Sequence, residues 1–322
     1  MANFHWVLND DVRLRVAIEG DHGAPLVILV HGFPESWYSW RHQIKALAEA
    51  GYRVAAPDVR GYGGSDRPHE VSAYTIEALT ADIAAIARTL APEAPAVVIG
   101  HDWGAPIAWN SALLFPKHFR AVAGLSVPYI PLGPVPPLEL YRKVFTENGL
   151  FFYQIYFQEE GRPEAELEAD PSATIRKFYY SISGDAPDGT WPSDKPHGEG
   201  LLDRLPEPPT PLPWLDDNDV RYYDSQFRAS GFRGPLNRYR AQPADHAYLT
   251  ALPDNIIHQP ALFIGGTRDP VISMFQGDIM EMMRPYLPNL TAARVLEGCG
   301  HWTQQERPDE VNALLIEWLG CL

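Results

Sequence analysis

Cysteine is scarce in this chain: among 322 residues only Cys299 and Cys321 are cysteines. Two cysteines make neither a disulfide framework nor the paired spacing of a structural metal site, and each is expected to be a buried structural thiol. Basic residues are also few. Lys and Arg total 26 against 41 Asp and Glu, a formal net charge of −15 at pH 7. Nucleic acid and anionic membranes both select for basic patches, so no nucleic-acid or membrane partner is expected. No run reaches the roughly 18 apolar residues of a membrane span. Neither a basic-then-apolar leader nor a C-terminal retention or peroxisomal signal is visible, and a cytoplasmic location is the expectation. A His-Glu-x-x-His motif is missing, and Gly61-Tyr62-Gly63-Gly64-Ser65-Asp66 lacks the Lys and spacing of a phosphate loop. No metal and no cofactor are expected.

What is present is a long chain with 45% apolar residues, enough to bury a large core as one elaborated domain or two. Val12, Leu14, Val16 and Ile18 alternate with polar or small residues as in a strand. Leu26 to Val30 is a continuous apolar run, as expected of a strand buried on both faces. A helix is expected over Trp37 to Ala50, a strand at Arg53 to Ala56, and a helix from Tyr74 to Leu90 with Ile76, Leu79, Ile83 and Ile86 on one face. Strand patterns recur at Ala96–Ile99, Ala121–Leu125, Ala261–Ile264 and Ala293–Leu296, with helices from about Ser273 and around Val311 to Leu319. Alternation of this kind argues for a mostly parallel sheet flanked by helices, an α/β fold. The rhythm breaks near Pro128. Residues 130–245 are rich in Pro and aromatics without a regular strand signal, and Trp191 to Trp214 reads as a structured loop. The expected organisation is a core of residues 1–129 and 246–322 interrupted by one insertion, 130–245.

Ligands of open α/β sheets bind beyond the carboxyl ends of the strands, so the residues just after strand signals matter most. Gly100-His101-Asp102-Trp103-Gly104 follows an apolar strand and opens a helix, the form of a nucleophile elbow with Asp at its tip. A carboxylate suits displacement at a saturated carbon, which points to epoxides or alkyl halides rather than esters. Asp269 follows the Ala261 strand and His301 the last one, giving the order nucleophile, acid, histidine. In that arrangement His301, oriented by Asp269, activates water against the Asp102 ester. The backbone N–H groups of Phe33, in the turn after the first buried strand, and of Trp103 are expected to form the oxyanion hole. Phe33, Pro34, Trp103 and Trp302 are candidates for a substrate pocket, while His31 and His101 are expected to shape turns. Taken singly, each residue has a plainer reading: a cap for Asp102, an ion pair with Arg268 for Asp269, packing for the aromatics.

His31-Gly32-Phe33-Pro34-Glu35-Ser36-Trp37, Gly100-His101-Asp102-Trp103-Gly104 and Gly300-His301-Trp302-Thr303-Gln304 resemble the epoxide hydrolases of the α/β-hydrolase fold, including the hydrolase domain of the mammalian soluble enzyme. Tyr153-Gln154-Ile155-Tyr156-Phe157-Gln158-Glu159 and Ser230 to Arg240 in the insertion resemble them too, so the likeness spans nearly the whole chain. It implies an α/β-hydrolase core with a mainly helical cap and an epoxide substrate; whether the chain is a monomer or a homodimer stays open. It also implies that Tyr153 and Tyr239 hold the epoxide oxygen; the residues alone would not single these two out of fifteen tyrosines. A haloalkane dehalogenase is the rival reading, but the resemblance there calls for Asn where Phe33 stands. A non-catalytic ligand-binding protein on the same fold is the other.

Overall fold

The computed structural model describes residues 3–275 and 277–322. Among them an eight-stranded sheet runs through the centre: β1 (Asn3–Asn9), β2 (Val12–Glu19), β3 (Leu26–Val30), β4 (Arg53–Pro57), β5 (Ala96–His101), β6 (Phe119–Leu125), β7 (Ala261–Gly266) and β8 (Leu290–Leu296). Its order is β1-β2-β4-β3-β5-β6-β7-β8, antiparallel at the two pairings of β2 and parallel elsewhere.

The period-two rule divides each central strand between two cores. Ile28, Val30, Val98, Val122 and Phe263 point to one face, where the helices Ile76–Leu90 and Gly104–Leu114 cover them. Val27, Leu29, Val97, Ile99, Ala121, Ala123, Leu262 and Ile264 point to the other, beneath the helices Arg41–Glu49 and Pro308–Gly320. Burial on both faces explains why β3, β5 and β7 read as unbroken apolar runs. The helix Ile76–Leu90 buries the stripe Ile76, Leu79, Ile83, Ile86 and starts at Thr75, whose hydroxyl accepts the Ala78 N–H at 3.3 Å.

Two elements differ from the sequence reading. β1 was not anticipated because its apolar residues Phe4, Trp6 and Leu8 face outward; only Val7 is buried. The helix expected to begin near Ser273 instead ends there: Asp269 caps a four-residue helix, Pro270–Ser273, and a second short helix, Ile279–Met283, is capped by Asp278.

Between Pro137 and Thr250 the named elements are all helices, the last being Gln242–Thr250, so the helical stretch runs past residue 245. The segment around Trp191 to Trp214 is tied together from within. Lys195 Nζ donates to the carbonyls of Gly200 and Leu201, and Glu166 accepts the N–H groups of Leu201 and Leu202. No helix among the described residues is long and apolar enough to cross a membrane.

Candidate active site

The turn after β5 lifts Asp102 out of the sheet in a left-handed conformation, φ +49°. Asp tolerates that region better than most residues, and the helix Gly104–Leu114 starts immediately. The turn closes because Gly100 and Gly104 carry no side chain. A Cβ on Gly100 would run into the Gly104 carbonyl, and one on Gly104 into the Val30 carbonyl. The Asp102 carboxylate is then held from two sides. Oδ1 accepts the Phe33 N–H at 2.7 Å, and Oδ2 faces His301 Nε2 at 3.4 Å.

His301 lies beyond β8, and its Nδ1 stands 3.0 Å from both carboxylate oxygens of Asp269. A carboxylate only accepts, so Nδ1 carries a proton and Nε2 is the atom turned to Asp102. Asp269 is fully buried and also accepts the Val271 N–H at 2.8 Å as the cap of its own short helix. The histidine backbone is fixed as firmly as its ring. Its N–H donates to the Ile182 carbonyl at 2.9 Å, and its carbonyl accepts from Ser126 Oγ at 2.7 Å and His101 Nε2 at 2.8 Å. One buried carboxylate, Glu306, accepts the N–H groups of Gly300, Trp302 and, from the insertion, Gly184.

The charges reinforce one another. Burial works against a charged His301, but Asp269 and the hydrogen bonds to Asp102 and Asp269 outweigh it and raise the imidazole well above its ordinary value. Burial likewise opposes ionisation of Asp102, and the hydrogen bond and charge of His301 overcome it, so the carboxyl sits below the usual range. Both directions favour an ionised carboxylate against an imidazolium in the resting protein.

Above this group lies a cavity of about 240 Å³ whose wall includes Phe33, Asp102, Tyr153, Phe178, Tyr239 and His301. Tyr153 comes from the short helix Tyr153–Tyr156 and Tyr239 from Arg233–Arg240; their rings meet edge to face at 6.0 Å. Tyr239 also packs edge-on against Phe33 at 5.3 Å and Trp103 at 5.1 Å. Burial pushes the Tyr239 phenol up, and the Asp102 charge adds to it. It pushes Tyr153 up as well, against a hydrogen bond from Gln154. Both hydroxyls therefore hold their protons at neutral pH.

All five expected side chains, Asp102, Asp269, His301, Tyr153 and Tyr239, come together here, as does the Phe33 N–H. Three of the expected pocket residues do not line this cavity. Trp302 stacks on Tyr179 at 4.0 Å and gives its indole N–H to the Tyr179 carbonyl. The Pro34 carbonyl accepts the Tyr179 hydroxyl at 3.1 Å. Trp103 instead lines an adjoining apolar cavity of about 550 Å³, with Arg238 stacked 4.4 Å from its ring.

The sequence reading missed Glu35, Ser126 and Glu306. Glu35 is buried and accepts from Gly32 N, Gln304 Nε2 and Gln305 Nε2, with His101 Nδ1 at 2.8 Å. Nothing in the sequence separates such carboxylates from surface ones, because their partners are backbone amides and distant side chains.

A model of the α/β-hydrolase fold matches residues 25–308. The chain is 46% identical over 314 residues to epoxide hydrolase A of Mycobacterium tuberculosis, covering 96% of this chain and 94% of that one. It is 40% identical over 322 residues to bifunctional epoxide hydrolase 2 of Sus scrofa, covering 99% of this chain but 55% of that longer protein. Among solved structures, epoxide hydrolase A from Mycobacterium thermoresistibile matches with a TM-score of 0.93 at 43% identity, covering 99% of this chain and 98% of that one. An epoxide hydrolase from an endophytic Streptomyces matches with a TM-score of 0.92 at 46% identity, covering 99% and 95%. The chain belongs to the epoxide hydrolases of the α/β-hydrolase fold.

Proposed function

We propose that the protein converts epoxides to vicinal diols through an ester on Asp102. The observation that carries this reading is the division of labour at one carboxylate, with Oδ1 on the Phe33 N–H and Oδ2 facing His301 beneath two tyrosine hydroxyls. Oδ2 attacks a ring carbon while a proton from Tyr153 or Tyr239 passes to the oxygen whose C–O bond breaks. The ester carbonyl oxygen, Oδ1, stays on the Phe33 N–H, with the Trp103 N–H as its expected second donor.

Alkylation removes a negative charge 3.4 Å from the imidazole. The support for a protonated His301 falls, its proton passes through solvent to the phenolate left by the first step, and the neutral ring becomes a base for the second step. It takes a proton from water, hydroxide attacks Cγ, and the imidazolium returns that proton to the departing alkoxide. The carboxyl group left on Asp102 ionises, and its proton goes to His301, which restores the resting pair. Loss of one oxyanion donor typically costs about 3–4 kcal/mol, which sets the scale for the Phe33 N–H. We also read residues 130–245 as a cap, since Tyr153, Phe178 and Tyr239 close the cavity from that side.

A rapid-mixing experiment with aryl, alkyl and trans-disubstituted epoxides beside haloalkanes tests the reading. Epoxides should give a transient protein adduct and then diol. Halide release without epoxide turnover would overturn it.

A further inference from the structure

The two cavity tyrosines are not equivalent in their hydrogen bonding. Gln154 Nε2 donates to the Tyr153 hydroxyl oxygen at 2.9 Å, and Gln242 Nε2 donates to Gln154 Oε1 at 3.0 Å. The backbone under this pair is fixed as well. Gln158 Nε2 donates to the carbonyls of Gln154 at 2.8 Å and Tyr239 at 3.1 Å, tying together the helices that carry both tyrosines. Gln154 and Gln242 line the adjoining apolar cavity, while Tyr153 lines the one that holds Asp102.

A phenol oxygen that accepts one hydrogen bond keeps its own O–H to give elsewhere. Around Tyr153 the neighbours are rings, those of Phe152, Phe157, Trp191 and Tyr239. The direction left for the O–H is the cavity that holds Asp102. Resting on the reading of Tyr153 as a donor to the epoxide oxygen, we propose that Gln154, held in place by Gln242, is a positioning residue for ring opening. It turns the Tyr153 proton into the cavity and stabilises the oxygen that gives the proton up. In that step the Asp102 oxygen–carbon bond forms, the ring C–O bond breaks, and the proton moves from Tyr153 to the ring oxygen. The phenolate left behind keeps the Gln154 N–H.

An isosteric change separates this role from a packing role. In Gln154→Glu the ionised carboxylate accepts the Tyr153 proton and turns it away from the cavity, whereas Gln154→Leu only removes the donor. Single-turnover measurements should show adduct formation slowed by about 100-fold in the Glu variant and about 10-fold in the Leu variant, within the range of general acid catalysis. Adduct decay should change little in either. Lowering the pH through the new carboxyl's titration should restore adduct formation in Gln154→Glu alone, because the neutral acid can donate to Tyr153. A Glu variant milder than the Leu variant, or equal slowing of both steps, would overturn the proposal. Tyr153→Phe serves as the control. If it leaves adduct formation unchanged, the reading of Tyr153 itself fails; if it slows formation while Gln154→Glu does not, only the role of Gln154 fails.

Discussion

Asp102, Asp269 and His301 stand at the carboxyl ends of β5, β7 and β8 and are bound by hydrogen bonds to backbone and buried side chains. Tyr153 and Tyr239 reach the same cavity from the helical insertion and are held largely by other rings. The two halves meet different demands. Charge transfer at Asp102 and His301 needs fixed partners, because a buried charge without them costs several kcal/mol. A hydroxyl that follows an oxygen as its ring opens needs a shaped apolar surround and few competing acceptors.

The sharpest break in this comparison comes from Asp102→Ala. Losing the attacking carboxylate should reduce turnover by about a millionfold, the scale found when a triad enzyme loses its nucleophile. His301→Gln should act chiefly on the second step, slowing ester hydrolysis by about 10⁴-fold. The protein should then accumulate with the mass of one substrate added; a variant that forms no adduct with any epoxide would count against the two-step route. Tyr153→Phe with Tyr239→Phe should act on the first step alone, by about 10³-fold. Rapid ring opening in that double variant, followed by mass spectrometry of the adduct, would show the donors to be elsewhere.

The halves differ equally in how far they could be read from sequence. The core was legible because burial on both faces leaves continuous apolar runs, and Asp102 and Asp269 follow such runs; β8, ahead of His301, is buried only at its two ends. Asp102, Asp269 and His301 needed no knowledge of contacts. The tyrosines had no such marker: Tyr156, Tyr179 and Tyr180 look the same in sequence, and only the family resemblance singled out Tyr153 and Tyr239. Trp302 and Pro34 show the opposite error. Adjacency to a reacting residue suggested a pocket position, yet Tyr179, more than a hundred residues away in sequence, packs against both. β1 escaped notice because an edge strand with its apolar side chains outward has no buried stripe to reveal it.

Two smaller effects sharpen the comparison further. Asp269 raises His301 most and stays charged, but alkylation removes the support from Asp102, so the ester form should titrate lower than the resting protein. The neutral base is required, so ester decay should rise with pH through that lower value and then level off. Single-turnover decay between about pH 5 and 9, set beside a magnetic-resonance titration of resting His301, checks this. Equal midpoints would mean that Asp102 does not support the imidazolium. Glu306→Ala tests a carboxylate that joins both halves through Gly184, Gly300 and Trp302. Unpaired buried amides should lower stability by about 3 kcal/mol, read as a shift in denaturant midpoint. An unchanged midpoint would mean that water replaces the carboxylate without loss.

The origin of the diol oxygen tests the ester on Asp102 most directly. In a single turnover in ¹⁸O-water with protein in excess, the label should enter the peptide that carries Asp102 and be absent from the first diol. Label found in that diol, with the Asp102 peptide unlabelled, would mean that water attacks the epoxide itself and that Asp102 is not the nucleophile.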